Sequence, residues 1–170
     1  RATFPQLPRK NTHQWRGGRK RLVILGGSGR NSSINEHMPR ALSRVRQQLS
    51  GWQIVHQAGD GQLQDTERRY HDVCVNAMVF AFVDEMAPLI FGSDLVVCRG
   101  GATTLAELAL AGAPAVVAPS PGAMDYQWPN AEVYASAGAA TLVDETEDTA
   151  PLDDAIVNQL KSLLIDDGRR

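Results

Sequence analysis

Residues 98 to 107 read Cys98-Arg99-Gly100-Gly101-Ala102-Thr103-Thr104-Leu105-Ala106-Glu107, directly after the strand-like run from Asp94 to Val97. A strand that passes through two glycines straight into a helix-forming stretch is one strand-turn-helix unit. The glycines let the backbone turn without a Cβ penalty, and the amides that follow form the unpaired, partly positive start of a helix. Such a junction can hold a phosphate. Glu107 lies one turn further in, where its carboxylate can meet the ribose hydroxyls of a nucleotide whose phosphates rest on the turn. Tight strand-to-helix packing explains the same two glycines, so the junction alone leaves both readings open.

Outward from this unit, apolar runs alternate with helical patterns along the chain. Strands are expected at Leu22 to Leu25, Gln53 to His56, Met78 to Val83, Leu95 to Cys98, Ala115 to Ala118 and Ala140 to Val143. Their hydrophobicity is continuous, as in strands buried on both faces of a parallel sheet. Ser33-Ile34-Asn35-Glu36 has the form of a capping box, opening a helix that runs towards Ser50 with Gly51 to end it. Further helices are expected within Gly59 to His71 and at Asp84 to Phe91, Thr103 to Ala111, Gln127 to Ala137 and Pro151 to Leu164. The fold class is therefore α/β, a doubly wound parallel sheet of about six strands joined by right-handed crossovers. Ligands of such sheets gather at the carboxyl ends of the strands, where the candidate segments fall.

The length of 170 residues and 43% hydrophobic content suit one domain with one sizeable core. No apolar run approaches the roughly 20 residues needed to span a bilayer, and the start RATFPQLPRK lacks the apolar centre of a secretory signal. Cys74 and Cys98 lack metal-ligand spacing and sit in or beside strand-like runs, so buried free thiols in a reducing, cytoplasmic setting are expected rather than a disulfide. The net charge of -2 hides a division: residues 1 to 21 carry seven Lys or Arg and no acid, which leaves ten bases and nineteen acids, or -9, in the remainder. Residues 1–20, with two prolines and a Gly-Gly pair, read as a basic connector, and residues 21–170 as the folded domain. A basic arm can touch anionic lipid or nucleic acid, or simply be solvated. Without interleaved aromatics on a basic face, nucleic acid is not expected as a partner. The missing initial methionine fits an excised piece, a processed chain or a cleaved tag equally.

Gly26-Gly27-Ser28-Gly29 follows the first strand and offers a flexible backbone and the Ser28 hydroxyl to a diphosphate. A dinucleotide fingerprint would need G-x-G-x-x-G and an acid at the end of the second strand. Here Gly29 leads into Arg30-Asn31-Ser32 and the second strand ends His56-Gln57, which disfavours a nicotinamide oxidoreductase. No GK[ST] phosphate loop is present, and His13, His37, His56 and His71 lack metal spacing and read as surface or core residues. Asp84 suits an N-cap after Phe82-Val83. Asp125-Tyr126-Gln127 offers polar groups to sugar hydroxyls, although an Asx turn explains Asp125 as simply. Arg99 can neutralise phosphate charge or form an ion pair.

Read together, GGSGRNSSIN at 26 to 35, FVDEM at 82 to 86, CRGGATTLAELALAGAPAVVAPSP from Cys98 and DYQWPNA at 125 to 131 resemble, in order and spacing, the C-terminal half of the MurG family of N-acetylglucosaminyltransferases. The resemblance runs from about Arg21 to the C-terminal end. It implies the donor-binding half of a GT-B glycosyltransferase. By the same comparison the backbone of Val83 binds uracil, Met86 adds an apolar wall, and Ser28 lies near the diphosphate. Gly101, Ala102, Thr103, Thr104, Leu105 and Ala106 belong to the phosphate turn, and Glu107 binds the ribose. Asp125 and Gln127 face the sugar, with Gln127 the match to the family glutamine. Arg1 corresponds in offset to an arginine that reaches the donor from before the domain. Tyr126 departs from the histidine or glutamine of some relatives.

The resemblance implies UDP-N-acetylglucosamine as donor and lipid I, the undecaprenyl-diphosphate-linked muramyl pentapeptide, as acceptor, the latter held by an N-terminal domain that also carries the catalytic base. It implies peripheral attachment at the inner face of the plasma membrane, and neither cofactor nor metal, since no Asp-x-Asp motif is present. Two other readings stand beside it: the donor-binding subunit of a dolichol-linked N-acetylglucosaminyltransferase, and a non-catalytic UDP-sugar sensor.

Overall fold

A computed structural model describes residues 19–26, 33–145 and 152–165. Among the described residues, six strands alternate with six α-helices: β1 (Arg21–Leu25), α1 (Ser33–Arg44), β2 (Gln53–Gln57), α2 (Leu63–Asp72), β3 (Met78–Phe80), α3 (Met86–Phe91), β4 (Leu95–Cys98), α4 (Ala102–Ala111), β5 (Ala115–Val117), α5 (Met124–Ser136), β6 (Ala140–Leu142) and α6 (Leu152–Ile165). A 3-10 turn, Pro121–Ala123, precedes α5. All strand pairs are parallel, in the order β3-β2-β1-β4-β5-β6. The order reverses between β1 and β4, which opens a crevice at their carboxyl ends. Of the expected connector at 1–20, residues 1–18 lie outside the described residues.

Alternation within β1 builds both layers. Leu22 and Ile24 face one core with Val97, Val116, Met38 and Leu42 of α1, and Ile156 and Leu160 of α6. Val23 and Leu25 face the other with Val96, Val117, Ile90 of α3, and Leu105 and Leu108 of α4. Every residue of β1, β4 and β5 is buried, so their continuous apolar runs have a direct cause. Each fully buried Leu, Ile or Val contributes about 1.5–3 kcal/mol of transfer free energy before chain entropy is subtracted.

Element ends differ from expectation in instructive ways. β3 stops at Phe80 rather than Val83, because β2 offers partners only to Gln57, which pairs with Phe80. Helix α3 begins at Met86 with Glu85 as its N-cap, so Asp84 is not the cap. Ser33 is the first residue of α1 and its hydroxyl bonds Glu145 instead of closing a capping box. Helix α1 ends at Arg44, and the chain reaches Gly51, at φ +80°, through turns. Cys98 is buried as expected, and burial pushes its thiol up to about 12. Cys74 is not: it is exposed, in the left-handed region at φ 53°, where the chain leaves α2.

Candidate functional site

The sheet is parallel throughout, so the described segments after β3, β4 and β5 leave it at the same, carboxyl edge, and β1 ends there at Leu25, followed by Gly26. Of the candidate residues, Ser28 and Arg1 lie outside the described residues, as does the side chain of Asp125. The others can be placed.

The β4–α4 turn is built from two glycines with different reasons for being glycine. A Cβ on Gly100 would stand 2.5 Å from the carbonyl oxygen of Gln127, because α5 runs directly against it. That is the packing explanation. A Cβ on Gly101 would meet nothing closer than the Thr104 hydroxyl at 4.0 Å, and its φ of -69° suits any residue. Among the described residues, packing therefore leaves the space over Gly101 open. Leu105 N–H donates to the carbonyl of Gly101 at 3.0 Å as the first bond of the helix, so the amides of Ala102, Thr103 and Thr104 precede any intrahelical acceptor. Ala102 and Thr103 are exposed and Thr104 half-buried. Helix-start amides without a partner among the described residues, at the positive end of a helix, have the geometry that favours an anion.

The remaining members of this segment divide by direction. Leu105 is 1% exposed and packs into the core, so only its backbone belongs to the turn. Ala106 is exposed, and Glu107 is half-buried one turn along α4. Gln127 reaches back from α5: its Oε1 accepts from the amides of Gly100 at 3.2 Å and Ser120 at 2.9 Å. Those two donors fix the orientation of the side-chain amide, whose NH2 group takes part in neither bond. The turn after β3 is more open. Phe82 is 69% exposed, Val83 half-buried, and Met86 packs its side chain on the core beneath α3 and α4.

Two polar clusters that the sequence reading did not assemble brace this edge. Arg99 donates to Ala118 O at 2.8 Å and to both carboxylate oxygens of Glu145, at 2.6 and 3.2 Å, and also bonds the Ser33 hydroxyl. Of its two expected roles it takes the ion pair. Behind β1, His56 hydrogen-bonds Tyr70 through Nδ1 at 2.8 Å and Asn35 through Nε2 at 2.9 Å, while the Asn35 NH2 donates to Ala58 O at 2.7 Å. Asn35 thereby accepts from Nε2–H, which fixes the tautomer, and Tyr70 donates to Nδ1. Burial holds His56 neutral, down to about 3, and pushes the Tyr70 hydroxyl above its usual range. His56 is thus a satisfied core histidine. No spacing signal marked Asn35 and Glu145, because their partners are 21 and 46 residues distant.

A cavity of about 480 Å³ opens elsewhere, between α4 and α5 at the amino ends of β5 and β6, lined by Gly112, Pro114, Val133, Tyr134 and Ala140 among others. It has a mainly apolar lining and lies at the opposite edge from the glycine turns. Among the described residues no group of three or more His, Cys, Asp or Glu is placed to hold a metal ion. No helix there is long and apolar enough to cross a membrane.

Residues 21–166 match the model of the glycosyltransferase family 28 C-terminal domain. The chain is 44% identical over 75% of its length to the UDP-N-acetylglucosamine--N-acetylmuramyl-(pentapeptide) pyrophosphoryl-undecaprenol N-acetylglucosamine transferase of Pseudomonas putida strain F1, covering 35% of that protein. It is 38% identical over 89% of its length to the protein of the same name in Dechloromonas aromatica, covering 43% of it. The chain thus spans 35% and 43% of the lengths of these relatives. Among solved structures, the crystal structure of Acinetobacter baumannii MurG superposes with a TM-score of 0.76 at 32% identity, over 89% of this chain and 44% of that one. WaaG, a glycosyltransferase involved in lipopolysaccharide biosynthesis, superposes at 0.75 with 18% identity and shares the fold.

Proposed function

The chain belongs to the glycosyltransferase family 28 C-terminal domains, and from that premise we propose that it is the donor-binding half of an inverting transferase that moves N-acetylglucosamine from UDP-N-acetylglucosamine to lipid I. The observation that carries this reading is the β4–α4 turn where, among the described residues, three amides at a helix start precede any intrahelical acceptor and the space over Gly101 is open. The relatives named above carry this activity in their names.

In this reading the diphosphate lies on the amides of Ala102, Thr103 and Thr104, with Ser28 on its other side. Glu107 accepts from the ribose hydroxyls. The backbone of Val83 meets the edge of uracil, and Met86 walls it. The NH2 of Gln127 donates to a sugar hydroxyl, with Asp125 beside it, and Arg1 reaches the donor from the connector. As the acceptor hydroxyl attacks the anomeric carbon, negative charge accumulates on the departing UDP. Fixed amide dipoles and a helix terminus stabilise that charge without reorganising, which lowers the barrier more than it tightens the ground state. The base, the acceptor contacts and the membrane-facing surface are assigned to the part of the enzyme that this chain does not span. That assembly acts peripherally at the inner face of the plasma membrane.

Calorimetric titration of the chain with UDP, ADP and GDP tests the donor assignment. UDP is expected to bind about tenfold or more tighter than either purine nucleotide; equal binding of all three would remove the uracil site and favour a general phosphate binder.

A further inference from the structure

We infer that Arg99 is a positioning residue of the phosphate turn, holding the turn through a cross-loop ion pair rather than lending its charge to the diphosphate. The inference rests on the donor-site reading above and goes beyond it. Arg99 is the last residue before Gly100, where a cation next to a phosphate site would ordinarily be read as a phosphate ligand. Its geometry says otherwise. Both terminal guanidinium nitrogens are engaged: one by Ala118 O and Glu145 Oε2, the other by Glu145 Oε1 and the Ser33 hydroxyl. The two charged side chains are 14% and 6% exposed, so the positive charge is met by a carboxylate inside the protein.

Arg99 and its three partners sit on four different pieces of the sheet edge. Arg99 follows β4, Ala118 follows β5, Glu145 lies beyond β6, and Ser33 opens α1, the helix reached from β1. One planar fork therefore links both sides of the crevice between β1 and β4. Gly100 is gripped from the other direction by Gln127, both through its amide and through close packing. With Arg99 and Gly100 fixed, Gly101 and the amides after it have a set direction before any ligand arrives. A planar guanidinium with paired donors suits this task, and a lysine, a flexible point charge with one nitrogen, does not.

That difference separates the two roles. Arg99→Ala would strand a nearly buried carboxylate and confound folding with function, so Arg99→Lys and Glu145→Gln are the informative variants. UDP and uridine are titrated into the wild-type chain and both variants, with thermal unfolding and amide hydrogen exchange at residues 100 to 104 measured on the same samples. The positioning role predicts that Arg99→Lys, though it keeps the charge, binds UDP about tenfold or more weakly, since small misplacements of fixed groups are costly. Uridine, which does not use the turn, should change by less than about twofold. It predicts that Glu145→Gln also weakens UDP, by a smaller factor of about three, and that both variants speed exchange at 100 to 104 while folded. An Arg99→Lys protein with wild-type UDP affinity and unchanged exchange overturns the inference. So does a Glu145→Gln protein that binds UDP more tightly, the result expected if the pair merely restrains a phosphate-seeking cation. Failure of the wild-type chain to bind UDP would instead defeat the donor-site reading, and the exchange measurement would still decide what Arg99 does.

Discussion

The turns after β4 and after β3 are assigned to the two ends of the same ligand, yet they are built differently. The β4 turn is tied from three directions, by Glu145 and Ser33 through Arg99, by Gln127 at Gly100, and by the core through Leu105. In the β3 turn, Ala81 is the last anchored residue, held by the amide of Gly59 and the side chain of Gln57. Beyond it Phe82 is largely exposed, and α3 starts without a side-chain cap. A phosphate is recognised by several converging amides whose directions must be set in advance. A base edge needs one or two backbone groups and an apolar wall, which an open segment over Met86 can supply.

If the contrast is right, damage to the tied turn is costly and damage to the open one is mild. The largest effect is expected from Glu107→Ala on the same helix as the tied turn: a hydrogen bond to a charged group contributes about 1.5–3 kcal/mol, so UDP should weaken roughly ten- to a hundredfold. Comparing UDP with 2′-deoxy-UDP on both proteins checks the assignment, because a discrimination that survives the mutation shows that Glu107 does not read that hydroxyl.

Next in size is the split between the two glycines. Gly100→Ala drives a methyl into the Gln127 carbonyl and should destabilise by about 1–3 kcal/mol, as overpacked sites do. At this chain length that is a fall in melting temperature of a few degrees per kcal/mol. Gly101→Ala should leave melting nearly unchanged, a weaker N-cap offsetting a stiffer unfolded chain, and should lower UDP affinity by crowding the ligand. If both variants melt alike, the two glycines are there for one reason and not two.

The smallest effect belongs to Phe82→Ser in the open turn. Stability should stay within about 0.5 kcal/mol and UDP affinity within about twofold, since an exposed ring adds little to the fold and the neighbouring Val83 is assigned through its backbone. A large loss of UDP with retained folding would mean that the ring contacts the base and that this turn closes on the ligand.

The α/β class, the six strands and the edge of the sheet to inspect were legible in the order of residues alone. Continuous runs such as Leu22–Leu25 and Leu95–Cys98 follow from burial on both faces, and glycine turns from the backbone they require. Those are local causes, visible within a few residues. Motif spacing was equally legible and carried the resemblance to the MurG family. Which glycine is packed and which is open was settled by long-range packing, since the answer lies in α5, 27 residues beyond Gly100. Packing also chose between the two roles open to Arg99, pairing it with Glu145, moved the helix cap from Asp84 to Glu85, and exposed Cys74. Each of those outcomes depends on a partner or a packing surface far away in sequence. A short-range pattern cannot specify such a partner, because the distance that matters closes only when the sheet forms.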